Sequence, residues 1–89
     1  MKHSYLEVTF RNGRPLAAYY YLTRKPGEKS VRTRHVEPGL VIDFTKGGHP
    51  IGIEITTPPK FSLVALNRVL RDLGFAPATR SELAPVMAA

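Results

Sequence analysis

Leu40-Val41-Ile42-Asp43-Phe44-Thr45-Lys46-Gly47-Gly48-His49-Pro50-Ile51-Gly52-Ile53-Glu54-Ile55-Thr56 is the stretch that decides the fold. Its second half alternates cleanly. Ile51, Ile53 and Ile55 fall on one side of an extended chain and Gly52, Glu54 and Thr56 on the other, a period of two that belongs to a strand with one buried face. Leu40 to Phe44 is a shorter apolar strand, and Lys46-Gly47-Gly48-His49 between them is a tight turn. The two strands therefore pair as an antiparallel hairpin. That turn sets Thr45 against Pro50, Asp43 against Gly52 and Val41 against Glu54. Thr57-Pro58-Pro59 ends the ladder, because proline has no N–H to give it.

Upstream, Val31 to Val36 is a third-strand segment that reaches the hairpin through Glu37-Pro38-Gly39. If that turn has an even length, Arg34 lies opposite Asp43, Arg32 opposite Thr45, and His35 faces inward near Ile42. A slip of one residue would bring Arg34 over the core, where desolvation opposes it. Tyr5-Leu6-Glu7-Val8-Thr9-Phe10 alternates as a first strand, and Asn12-Gly13 is a hairpin turn whose residues tolerate positive φ. Pro15 delays the return strand, which runs from Leu16 to Leu22. Tyr19 and Tyr21 point one way from it and Tyr20 the other. Lys25-Pro26-Gly27-Glu28-Lys29 is a loop.

Downstream stands one helix. Ser62 is its N-cap, Phe61 can staple onto Leu66, and Gly74 followed by Phe75 suits a left-handed ending that closes on Leu70. Leu63, Leu66, Val69, Leu70 and Leu73 form its apolar stripe, with Asn67, Arg68, Arg71 and Asp72 opposite. The expected fold is α+β: an antiparallel meander of four to five strands with one C-terminal helix packed on one face. Residues 1–77 make the domain. Residues 78–89 mix small, polar and proline residues without a sustained period and are expected to be a flexible tail. The other face of the sheet is left for water or for a partner.

Bulk composition sets limits. The chain has 89 residues and no cysteine, which excludes disulfides, thiolate metal sites and thiol nucleophiles. No apolar run is long enough to span a membrane and no leader pattern opens the chain, so the expected location is cytoplasmic, with no membrane partner. Thirteen Lys and Arg against seven Asp and Glu leave a formal charge of +6, which favours anionic partners.

Within this frame the candidate sites are few. Arg24, Lys25, Lys29, Arg32 and Arg34 form a basic cluster beside three tyrosines, a composition suited to RNA or single-stranded DNA, with arginines on phosphates and rings on bases. The uncovered face carries Tyr19, Tyr21, Val36, Val41, Asp43 and Glu54, a mixture of ring, aliphatic and charged groups on which a homodimer or a small protein partner could seat. Asp43 and Glu54 could serve as an acid–base pair with Arg34 holding an anion. The plainer reading of these charges is a solvated face whose pairs set register. His3, His35 and His49 have no ligand spacing, so no metal is expected. No serine stands in a nucleophile elbow and no phosphate-binding glycine loop is present, so no cofactor and no enzymatic activity are expected.

The string Val36-Glu37-Pro38-Gly39-Leu40-Val41-Ile42-Asp43-Phe44, then Gly47-Gly48, then Ile51-Gly52-Ile53-Glu54-Ile55, resembles a small bacterial family, domain-of-unknown-function number twenty-two eighty-three. Its members carry a V-x-V-D strand, a glycine turn and a V-G-I-E-I strand. The resemblance runs from about Tyr5 to Thr57. It departs at Lys2-His3 and at Lys46-Gly47-Gly48-His49, where the family carries acidic residues, and the helix after Ser62 looks like an extension. It implies no established activity, and at most an antitoxin-like or partner-binding role.

Overall fold

The isoleucine strand lies in the middle of the sheet, with Ile53 and Ile55 in the core cluster and Ile51 buried outside it. The computed structural model describes residues 3–87 and contains one five-stranded antiparallel sheet, β1 (Tyr5–Arg11), β2 (Arg14–Tyr21), β3 (Arg32–Glu37), β4 (Leu40–Phe44) and β5 (Pro50–Ile55), in the order β1-β2-β5-β4-β3. A single 3₁₀ turn (Pro58–Lys60) leads to α1 (Leu63–Asp72), and a short α2 (Ala84–Met87) follows. Lys2, and the last two residues of the expected tail, lie outside the described residues. No helix among the described residues is long and apolar enough to cross a membrane.

The strands are not a simple meander. β3, β4 and β5 follow one another through tight turns, but β2 pairs with β5 instead of β3. Residues 22–31 are too long and too rich in Pro, Gly and Lys for a hairpin link, so the chain crosses the sheet's end and re-enters at its far edge. β5, with every residue but Glu54 buried or nearly so, thereby takes the central place.

Two register expectations also change. Glu37 faces Leu40, as an even turn requires, but a bulge between His35 and Glu37 takes up one residue, so His35 faces Val41, Arg34 faces Ile42 and Thr33 faces Asp43. Arg34 does not meet Asp43, Arg32 faces Phe44 instead of Thr45, and His35 is turned away from the core and exposed. The cost expected for Arg34 does not arise, because β3 is the edge strand. Its guanidinium escapes past the rim and lies 5.1 Å from the centre of the Phe44 ring. In β4–β5, Asp43 faces Gly52 and Val41 faces Glu54 as expected, but a second irregularity sets Phe44 against Pro50 and leaves Thr45 to donate its N–H to the His49 carbonyl.

One core cluster joins Ala18, Tyr20, Leu22, Leu40, Ile42, Phe44, Ile53 and Ile55 of the strand region to Leu66, Val69 and Leu70 of α1 and to Leu83 and Val86. The ends of α1 follow their residues. Ser62 Oγ accepts from the Ala65 N–H, while Gly74, at φ 84°, lets the Phe75 N–H reach the Leu70 carbonyl. Arg68 Nη1 lies 2.6 Å from Glu37 Oε1 and ties the helix to the end of β3.

The described part of the expected tail is ordered into the core. Asn67, assigned above to the polar side of α1, clamps the Ala78 backbone, accepting from its N–H at 2.8 Å and donating to its carbonyl at 3.1 Å. Thr79 and Glu82 then exchange side-chain-to-backbone hydrogen bonds as a capping box, at 2.9 and 3.1 Å. Leu83 and Val86 are fully buried.

Candidate interaction face

On the strand side away from that core, Gly52 makes the central event possible. It pairs with Tyr21 on one side and Asp43 on the other, and a Cβ built on it would fall inside the Tyr19 side chain. The missing side chain leaves a channel across β5, and the Tyr19 ring lies in it. Tyr19 O–H thereby reaches over a whole strand and donates to Asp43 Oδ2 at 2.6 Å. Burial, then the Asp43 hydrogen bond and charge, hold the Tyr19 phenol far above its ordinary pKa, with Arg24 opposing weakly. Asp43 itself is 9% exposed, and its Oδ1 is buried with no hydrogen-bond partner.

Beside this bond runs a row of rings. Tyr5 faces Tyr21 across β1–β2 and stacks on it with centroids 4.4 Å apart, and Tyr21 meets Tyr19 edge-on at 4.6 Å. Arg24 stands over the Tyr21 ring at 5.4 Å. The Tyr21 O–H donates to Glu7 Oε1 at 3.2 Å, and its phenol is pushed up by burial and by that carboxylate. A concavity of about 350 Å³ lined by Glu7, Tyr19, Tyr21, Arg24, Ser30 and Ile51 opens among them. Tyr5 remains 46% exposed.

The residues singled out from sequence are thus divided. Tyr19, Tyr21 and Asp43 come together, with Glu54 exposed beside them opposite both Tyr19 and Val41. Val41 is on the same side but buried. Val36 is not on it, because the bulge turns it to pack against the core cluster. The five basic residues are spread over a loop and an edge strand, with Arg24 and Lys25 lining a concavity beside His49 and the Arg32 guanidinium near Gly48 of the same turn. Arg24 covers a ring on the tyrosine side, Arg32 and Arg34 lean over the core-side ring of Phe44, and Lys25 and Lys29 are exposed in the loop between. Asp43, closed under Tyr19, has no open approach to share with Glu54. Among the described residues no group of three or more His, Asp or Glu side chains is placed to hold a metal ion. Sequence reading missed Gly52 as the seat of Tyr19. A glycine between two isoleucines in an otherwise regular strand was the available signal.

Residues 17–57 match the model of a family described as Protein of unknown function (DUF2283). No curated protein and no solved structure matches the chain. From within β2 to just past β5 the chain is therefore similar to the DUF2283 family, with Tyr19, Asp43, Gly52 and Glu54 inside the matched stretch and α1 outside it.

Proposed function

We propose that this protein is a non-catalytic interaction module: the helices cover one side of the sheet, and the tyrosine side seats a second copy of the chain. The carrying observation is the ring row, in which Tyr5 stays about half exposed although stacked on Tyr21. Aromatic residues of this kind supply contact area with little conformational loss, and tyrosine is enriched where partners meet. A two-fold axis along the central β5 lays β1 over β3 of the second copy, with Glu7 on the row of His35 and Tyr5 on the row of Thr33. Charges of both signs on one side suit a self-complementary contact.

RNA or single-stranded DNA binding through Arg24, Lys25, Lys29, Arg32 and Arg34 has less support, since Arg24 and the two strand arginines lie against rings on opposite sides of the sheet and Glu7 and Glu54 stand on the tyrosine side. Light scattering on the eluting protein, at concentrations up to the order of 100 μM, tests the proposal. The expected mass is that of a dimer, falling to a monomer when Tyr5 and Tyr21 are both replaced by lysine. A wild-type monomer across that range overturns it. A small foreign protein eluting with the chain would point instead to an antitoxin-like role.

A further inference from the structure

β3 is the last strand of the sheet, so the edge of its backbone away from β4 joins no ladder. Arg32, Thr33, Arg34 and His35 are all exposed along it. Arg32 and Arg34 share one side of the strand, about 7 Å apart along its axis, and their guanidiniums lie 5.8 and 5.1 Å from the centre of the same Phe44 ring. That shared support parks two cations along a single rim. The ion pairs among the described residues are Arg68 with Glu37 and Arg71 with Asp72, and neither engages Arg32 or Arg34.

We propose that this edge takes up an extended acidic peptide as a sixth strand, whose carboxylates at every second position meet Arg32 and Arg34. The backbone edge supplies the N–H and C=O partners that a peptide completes, and the paired guanidiniums select the acidic spacing. A second copy fits poorly here. Pairing two β3 edges gathers Arg32, Arg34 and His35 of both chains, while the acid at the strand's end, Glu37, is already held by Arg68. A nucleic acid fits poorly too, because a phosphodiester chain cannot continue a β-ladder and the ring beneath the arginines, Phe44, is buried and unable to stack on a base. A lone charge is enough to blunt an edge against aggregation; two arginines in alternate register on one ring make a spaced pair. The proposal is independent of the tyrosine side and stands whether the chain is a monomer or a dimer.

The probe is a capped, fluorescently labelled eight-residue peptide alternating glutamate with valine, followed by anisotropy and by amide NMR shifts. The expected result is saturable binding with shifts concentrated in β3, weakened about tenfold by added salt and about tenfold or more in R32Q/R34Q, with R32E/R34E weaker still. Far-UV circular dichroism confirms that both variants fold. Methylating the peptide's ladder-forming nitrogens should abolish binding. No binding, binding undiminished in the variants, an N-methylated peptide that binds like its parent, or a single-stranded oligonucleotide that binds more tightly than the peptide would each overturn the proposal.

Discussion

Replacing Gly52 by alanine forces a methyl group into the volume held by the Tyr19 ring, and the ring can leave only by giving up Asp43. The expected loss is about 1–3 kcal/mol in urea unfolding. Removing the ring first should absorb most of it, so Gly52→Ala added to Tyr19→Ala should cost clearly less than the sum of the two single changes. Tyr19→Phe keeps the ring and removes its proton. Asp43 Oδ2 then loses its tyrosine donor beside an Oδ1 that has none, at a cost of about 1–3 kcal/mol. The same phenol sets an alkaline limit. In the folded chain it stays protonated above about pH 10, where the unfolded phenol ionises, so above that pH the unfolded state binds fewer protons and stability falls as pH rises. Unfolding measured from pH 9 to 11.5 should show that decline, and it should be shallower in Tyr19→Phe. Tyr20 adds to the same slope, its phenol raised by burial and then by Glu82 against an opposing hydrogen bond from Ser4.

At the scale of elements, the C-terminal segment carries the sharpest test. If Thr79–Glu82 only caps and Leu83 plugs, Thr79→Ala should cost about 1 kcal/mol and Leu83→Ala about 2–5 kcal/mol. A disordered tail would give zero for both. Urea midpoints distinguish the two cases, and limited proteolysis should cut after Pro77 far faster in Asn67→Ala, which loses the clamp on Ala78. This segment also shows where sequence reading stops. The Thr79-x-x-Glu82 box was passed over within a stretch expected to be a flexible tail, Ala84-Pro85-Val86-Met87 is too short and too proline-bearing to show a helical period, and only the packing reveals Leu83 and Val86 as plugs. The strands and α1 were legible because period two, a serine cap and a glycine ending are local signals. The place of β3 was not, since neither the bulge at Val36 nor the choice of β2's partner is written within any one strand. For the same reason Tyr19, Tyr21 and Asp43 could be put on one side from their parity, yet their contact could not, because it depends on β5 lying between them.

For the molecule as a whole, the sheet offers two surfaces of different make-up, one of mixed charge and one basic. The tyrosine side holds rings with Glu7, Glu54 and Arg24, whereas the β3 rim holds Arg32 and Arg34. A dimer that dissociates on replacing Tyr5 and Tyr21 while still binding a glutamate-bearing peptide would show the two surfaces to be separate. The strand order carries a further consequence. The β1–β2 hairpin and the β3–β4–β5 ribbon can each wind up from residues close in sequence, but Ala18 has to find Ile55 across everything between them. Closing that long loop is entropically slow, so the seam between Ala18–Tyr21 and Gly52–Ile55 sets the pace of renaturation, and lesions there should lengthen refolding times more than equal lesions inside either half.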